Sequence, residues 1–436
     1  MERPRVWIAI AFMGGVLLTL GFKDIYPDLE RRYRQARRAR AGLSPQEIKP
    51  QHEDTIHKED IKLGIEGTIG NTPLLKIKSL SDATGCEILA KAEFLNGAGN
   101  SPKDRVALAM LTHAERAGLL APHSGDAIYE GTVGSTGISL AAIARARGYV
   151  AHICMPSDQS AEKADLLAKL GAVVERVRPA PIVDQEQFVN KARARAREHT
   201  ADGERRGRGY FADQFENEAN WRAHYEGTGP EIWAQTGGRC DAFVAGAGTG
   251  GTISGVALFL KPRLPKIQVV LADPQGSGLY NRIKYGVMFD PKEREGTRRR
   301  HQVDSIVEGI GVNRVTQNLE AGRELIDDAV RVSDEQALKM ARYLVEKDGI
   351  FIGSSSAVNC EYCSTYYVRH LLMIIAGVAA AKTAIRLGPG HRIVTILCDS
   401  GKSANSQRKL HILIAHYRCQ TPVEVLGSCR ISLRFS

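Results

Sequence analysis

Rings are scarce in this chain. Phe, Trp and Tyr together make up 6% of its 436 residues, and Trp occurs three times, whereas Gly occurs 43 times. Few large side chains and many glycines suit alternating strands and helices joined by tight turns, an α/β protein long enough for two or three domains. Cysteine supplies no framework either. The eight Cys recur at no fixed spacing, and Cys360-Glu361-Tyr362-Cys363 is a lone CxxC pair without a second pair or flanking His. That speaks against a zinc ribbon or a disulfide scaffold, predicts no metal, and fits a reducing compartment. Basic excess is missing from the middle of the chain. The net charge is +10, but residues 1–50 hold ten Lys or Arg against five Asp or Glu, residues 402–436 hold six against one, and residues 51–401 are balanced at 43 against 43. Basicity is thus a property of the two ends, and the core has no nucleic-acid signature. Gly401-Lys402-Ser403 is not a Walker A loop, because position 396 is Ile instead of Gly.

Charge is also absent from Val6 to Phe22, seventeen residues. As a helix this run would span about 25 Å at ~1.5 Å per residue, near the lower limit for crossing a bilayer. Arg3 and Arg5 precede it, and Lys23 and the Arg-rich stretch Arg31–Arg40 follow. The basic far side argues against a cleaved signal peptide, and Asp24, Asp28 and Glu30 against a mitochondrial presequence. The pattern predicts a retained single-span anchor at 1–23 and a basic linker at 24–63, whose end contains Pro45 and Pro50.

Three strand–turn–helix units then carry chemistry. The first is an apolar strand, Glu87 to Leu95, followed by a Gly/Asn turn and Asn100-Ser101-Pro102-Lys103-Asp104-Arg105. Ser101 stands where a helix cap belongs and Pro102 at the first helical position, so Lys103 falls in the first turn. The positive helix end would lower its pKa, which suits an amine that attacks a carbonyl. The second is Ile128 to Ser139, whose loop offers Thr132, Ser135 and Thr136 hydroxyls and backbone N–H groups to an anion. The third is Cys240 to Gly255, where Gly248, Thr249, Gly250, Gly251 and Thr252 can cradle a phosphate without any basic residue. Gly246, Gly248 and Gly251 also spell GxGxxG, and a strand ends in Asp273, so a nicotinamide-dependent oxidoreductase is a rival reading. That rival leaves Lys103 and the Thr132 loop without a role. Between the units, Val150–Met155 and Ala172–Val177 read as strands, with His152 a core residue. Ala161–Leu170 reads as a helix, Arg193–His199 as a solvated helix face, and Ser333 with Gln336 as a capping box.

Taken together, Lys91-Ala-Glu-Phe-Leu-Asn96 with Ser101–Arg105, Gly67–Leu75, Thr132–Gly137, Gln214-Phe-Glu-Asn217, Gly248–Thr252, Glu308–Gly311, Gly349–Ala357 and Val394–Gly401 resemble the cysteine synthase family. That family includes cystathionine β-synthase and belongs to the fold-type II pyridoxal-phosphate enzymes. The resemblance runs from about Gly64 to Gly401 and is nearest to the membrane-anchored fungal branch. It implies two α/β domains of tryptophan-synthase-β type, a large cofactor domain at 64–100 and 211–401 and a small substrate domain at 101–210. It implies that Lys103 holds pyridoxal 5'-phosphate through an imine, that Gly248 to Thr252 grip the phosphate, and that Ser355 meets the ring nitrogen. A neutral Ser there leaves that nitrogen unprotonated. Thr132, Ser135, Thr136 and Gln214 would take the substrate carboxylate, Gln214 through its amide N–H. The family pattern Thr-Ser-Gly-Asn-Thr-Gly has Val133 and Ser135 here, and the shorter Ser135 reaches the cofactor's 3′-oxygen less directly than Asn. The implied reaction is replacement of the acetate of O-acetylserine by sulfide, giving L-cysteine, in a homodimer on the mitochondrial outer membrane. Alternatives are cystathionine β-synthase, a serine or threonine dehydratase, and a catalytically silent membrane protein.

The pattern breaks twice. Glu361 to Gly377, seventeen residues, separates the Ser-rich turn from the Ala-rich helix that resumes at Val378, and the basic tail from Lys402 to Ser436 matches nothing in the family. Cys360-Glu361-Tyr362 and Gly401-Lys402-Ser403 can both be written in codons containing a splice-donor-like GTRAGT. Both segments therefore read as translated introns.

Overall fold

The computed structural model describes residues 61–204, 206–290, 305, 307–360 and 379–400. By contacts the chain divides into Met1–Ile61 and Lys62–Ser436, and the architecture described is that of the second unit. The expected anchor at 1–23, nearly all of the 24–63 linker, the 361–377 insertion and the 402–436 tail lie outside the described residues. Among the described residues no helix is long and apolar enough to cross a membrane.

Two sheets organise the unit. The first has six strands in the order β1-β2-β10-β7-β8-β9. They are β1 Leu74–Lys76, β2 Glu87–Ala92, β7 Ala242–Gly246, β8 Gln268–Pro274, β9 Asp328–Val332 and β10 Arg392–Leu397. Only the β1–β2 pairing is antiparallel. The second is a parallel four-stranded sheet, β5-β4-β3-β6, made by β3 Ala127–Gly131, β4 Val150–Pro156, β5 Val173–Val177 and β6 Gly209–Phe211. Parallel strands need crossovers, and the helices between them cover the faces. β2 shows how the large sheet is packed. Ile88 and Ala90 join the core on one face with Met340 and Ala384, and Leu89 joins the core on the other with Phe243 and Ile253.

Four expectations shift. The strand from Glu87 ends at Ala92 instead of Leu95, because Glu93 turns inward to accept from Thr72 Oγ1 at 2.7 Å and from Arg105. The 161 helix stops at Lys169, and the following strand begins at Val173. His199 is not on a solvated face. It is buried, with Nδ1 2.8 Å from the Tyr129 hydroxyl, while Arg193 and Arg195 on the same helix pair with Asp213 and Glu175. His152 stacks on Tyr129 at 4.6 Å, and the Ser333–Gln336 capping box is formed.

Candidate active site

The Lys103, Thr132, Gln214 and Gly248 segments each follow the carboxyl end of a parallel strand, where open α/β sheets present their ligand clefts, while the Ser355 segment follows the helix Asp334–Asp348. Lys103 opens the helix Lys103–Arg116. The helix begins one residue later than expected, so Pro102 occupies the cap position and Ser101 precedes it. Ser101 still serves the first turn: its hydroxyl accepts from Lys103 N at 3.3 Å and its carbonyl from Asp104 N at 3.1 Å. The turn before the lysine is wound on Asp104, whose carboxylate accepts the backbone N–H groups of Ala98, Gly99 and Asn100. Lys103 lies below the ordinary lysine pKa. Burial is the main cause, and the neighbouring Cys398 and Asp399 pull the other way. Burial therefore does what the expectation gave to the helix end.

The glycine turn after β7 is shaped by close approach. A Cβ on Gly248 would stand 2.1 Å from the Gly309 carbonyl oxygen, and one on Gly251 would stand 1.9 Å from Asn220 Oδ1. Gly250 has φ +84°, a left-handed conformation that side chains resist, and caps the helix Gly251–Leu260. The Thr249 carbonyl accepts from Thr316 Oγ1 at 2.7 Å, and its hydroxyl accepts from Asn220 Nδ2 at 2.9 Å. Thr252 Oγ1 is 3.2 Å from Nε2 of His224, a buried imidazole held neutral by burial, which takes its pKa down to about 3. Such a turn, with no side chain in the way and a helix N-terminus behind it, has the shape and polarity a phosphate needs.

The Thr132–Gly137 loop follows β3 and starts the helix Ser135–Ala146. Thr132 and Thr136 are buried, while Ser135 is exposed. Thr136 Oγ1 donates to Gln214 Oε1 at 2.6 Å. Gln214 spends its own amide N–H groups inside the protein, on Glu130 Oε1 at 3.3 Å and the Gly131 carbonyl at 3.1 Å. The expected free donor is thus engaged, and the two groups meant for a carboxylate satisfy each other. Glu130 is buried at the end of β3, and burial together with Asp213 pushes its carboxyl up to about 8.

Ser355 lies in the helix Ser354–Cys360 and donates to Asp399 Oδ1 at 3.0 Å. Ser354 Oγ accepts from Glu308 N at 3.1 Å, and Glu308 meets Lys163 across the two sheets at 3.0 Å.

Hydrogen bonds join these segments. Asn220 Nδ2 links the Gln214 carbonyl, at 2.7 Å, to Thr249. Ser139 Oγ, on the Ser135 helix, reaches Asp104 beside Lys103. Sequence reasoning missed Asn220, His224, Thr316, Glu130 and Asp399. Asp399 and Glu130 stood inside segments already in view and Asn220 just beyond one, but only the fold shows what they touch. Asp273, the acid required by the dinucleotide reading, instead accepts the Tyr280 N–H at 2.7 Å and lies buried at the end of β8.

Residues 65–370 match the family described as pyridoxal-phosphate dependent enzyme. The chain is 65% identical to cysteine synthase 2 of Emericella nidulans, over 92% of each chain. It is 56% identical to cysteine synthase 2 of Neurospora crassa, over 94% of this chain and 93% of that one. It is 54% identical to a Saccharomyces cerevisiae protein provisionally named a mitochondrial cysteine synthase, over 78% and 82%. Among solved structures, O-ureido-L-serine synthase superposes with a TM-score of 0.62 at 29% identity, covering 79% of this chain and 94% of its own. An O-acetylserine-dependent cystathionine β-synthase from Helicobacter pylori gives 0.62 at 30%, covering 78% and 96%.

Proposed function

The chain belongs to the pyridoxal-phosphate-dependent enzymes of the cysteine synthase family, and from that premise we propose that it makes L-cysteine by replacing the acetate of O-acetylserine with sulfide. The observation that carries this reading is a half-buried lysine, depressed in pKa, that faces Asp399 of the Ser355–Asp399 pair and whose neighbour Asp104 is hydrogen-bonded to Ser139 in the helix behind the Thr132 loop. Pyridoxal phosphate, when bound, supplies an aldehyde for an amine and a ring that draws electron density from the substrate's α-carbon.

The chain's residues do the rest. Lys103 is the residue that would hold the cofactor through its aldehyde. Freed from it, its neutral Nζ would be the base for the substrate's α-proton, and burial favours that neutral form. Gly248, Thr249, Gly250, Gly251 and Thr252 bind the phosphate through backbone N–H groups and hydroxyls. Thr132, Ser135, Thr136 and Gln214 bind the substrate carboxylate. For this Thr136 and Gln214 exchange their mutual hydrogen bond for bonds to the ligand. Ser355 would meet the ring nitrogen. The large domain is 64–100 with 211–401, and the small domain 101–210.

The test is direct. Purified protein should be yellow, lose the colour to borohydride, and carry the trapped cofactor on Lys103 by mass spectrometry. It should convert O-acetylserine and sulfide to cysteine, and Lys103→Ala should abolish turnover. Faster consumption of homocysteine than of sulfide would move the protein to cystathionine β-synthase. Pyruvate release without either thiol would move it to the dehydratases.

Anchoring by residues 1–23, at the mitochondrial outer membrane, and assembly as a homodimer belong to the same proposal. The charge-free run Val6–Phe22 between basic flanks supports the first. Fractionation of the full chain against a chain starting at residue 24 tests it: only the full chain should pellet with carbonate-washed membranes. Light scattering of the detergent-solubilised protein reads the oligomer.

A further inference from the structure

Near the end of β3 stands a carboxyl to which the functional reading gives no role. Glu130 has no exposure, and both of its bonds to Gln214 are long: Oε1 accepts from Nε2 at 3.3 Å, and Oε2 accepts from the backbone N–H at 3.3 Å. Gln214 Nε2 also donates to the Gly131 carbonyl at 3.1 Å, and its Oε1 accepts the Thr136 hydroxyl at 2.6 Å. The backbone here is fixed from the other side. The Gln214 carbonyl accepts from Asn220 Nδ2 at 2.7 Å and from Asn318 Nδ2 at 3.1 Å, and Asp213 before it holds a left-handed φ of +53°. Movement at Gln214 therefore belongs to its side chain. The titratable groups around Glu130 are Asp213, Tyr210 of β6 and Cys154 of β4, none of them a cation, and Arg193 is paired with Asp213 at 3.2 Å. An ionised carboxylate draws N–H donors in to about 2.7–2.9 Å. Bonds of 3.3 Å are those of a neutral carboxyl, in line with burial and Asp213 pushing this group up to about 8.

We propose that Glu130 is a positioning residue for substrate binding: it holds the Gln214 amide, and gives it up to the substrate carboxylate while it carries a proton. This rests on the functional reading above, in which Gln214 binds that carboxylate, and deepens it. Turning Nε2 to a ligand takes a donor away from Glu130. A neutral carboxyl loses a weak bond by this. A carboxylate loses a charge-assisted one in a buried place, still faces Asp213, and meets a second carboxylate, the substrate's, across the same amide. Binding above the titration of Glu130 therefore draws one proton from solvent onto its carboxyl, and that proton returns to solvent when the ligand leaves. The penalty grows roughly tenfold per pH unit above about 8. It falls on KM and not on kcat, because the carboxylate is held alike before and during the reaction.

The test uses holoenzyme and steady-state rates with O-acetylserine and sulfide from about pH 6.5 to 9. Gln214→Ala comes first. It should raise KM for O-acetylserine roughly tenfold or more at neutral pH; an unchanged KM removes Gln214 from the carboxylate site, and that part of the functional reading falls together with this proposal. With Gln214 established, KM in the unmodified protein should climb roughly tenfold between about pH 7 and 9, with no matching change in kcat. Glu130→Gln, which has no proton to lose, should not show that climb. The substrate's own amine titrates alike in both experiments, so the difference between the two profiles belongs to Glu130. If the Glu130→Gln profile lies on that of the unmodified protein, the proposal is wrong and the functional reading survives. Should Glu130→Gln fail to fold, calorimetry on the unmodified holoenzyme decides. Titrated at about pH 8.5 with propionate, a carboxylate without an amine, in two buffers of different ionisation enthalpy, it should take up more than about half a proton per site, and Gln214→Ala should take up none. No uptake by the unmodified protein, or equal uptake by both, overturns the proposal.

Discussion

Glu130 is a carboxyl that the fold keeps protonated near neutrality, and this has a measurable consequence. Its ordinary pKa of 4.5 rises to about 8 in the folded chain, through burial and then Asp213. Between those values the folded state keeps a proton that the unfolded state has released. Stability from this group is therefore complete below about 4.5 and is lost as pH rises through about 8, with a slope of at most about 1.4 kcal/mol per pH unit. Glu130→Gln should flatten that decline in urea unfolding measured from about pH 5 to 9; an unchanged slope would assign the decline to other groups. A second residue, Gly248, is fixed by a backbone oxygen. A Cβ placed 2.1 Å from the Gly309 carbonyl forces one of the two turns to move. Gly248→Ala should cost about 1–3 kcal/mol, by the general penalty for overpacking. It should also weaken cofactor binding roughly tenfold or more, read by titrating apoprotein with pyridoxal phosphate and following absorbance.

At the scale of elements, the start of the Lys103 helix is tied down by a buried ionic network. Arg105 bonds Glu93 through Nε at 2.7 Å and Nη2 at 2.8 Å, and Glu231 through Nη1 at 2.6 Å and Nη2 at 2.8 Å. Lys91, fully buried in β2, also pairs with Glu231. One forked cation thus joins the Lys103 helix to the turn after β2 and to the helix Gly229–Gln235. Removing it strands Glu93, which has no exposure. Arg105→Ala should cost about 3–5 kcal/mol, the usual penalty for breaking a buried pair from one side. Arg105→Lys should recover little of it, because an ammonium cannot fork between two carboxylates. The urea midpoints of the two variants decide. A loss under about 1 kcal/mol for Arg105→Ala would mean the network behaves like exposed surface pairs.

For the molecule as a whole, the sequence showed the turns better than the partnerships. The glycine turn at 248–252 and the lysine turn at 101–105 are local: small residues, a hydroxyl and a proline mark them wherever they fold. That Thr136 faces Gln214, seventy-eight positions away, or that Ser355 meets Asp399, forty-four away, has no local sign. Nor does the sheet order, in which β10, the last strand, lies between β2 and β7 and pairs with both. That central position makes the chain on either side of the 361–377 insertion matter to the core. Ala357, Val358 and Cys360 before it, and Ala379, Ala380, Ala381 and Ala384 after it, enter one hydrophobic cluster with Ile393 and Leu397 of β10. The helices Ser354–Cys360 and Ala379–Leu387 are short, and each carries buried residues at nearly every position of its packed half. Joining Cys360 directly to Val378 places Ser354 to Leu387 in one continuous helical register of small and apolar residues. It also shortens the chain connection whose closure folding must meet. The protein lacking 361–377 should therefore melt higher than the full chain, keep the same far-ultraviolet circular dichroism per residue, and bind pyridoxal phosphate at least as tightly. If excision lowers the melting temperature, the segment belongs to the folded core and is native sequence, and the reading of it as translated intron fails.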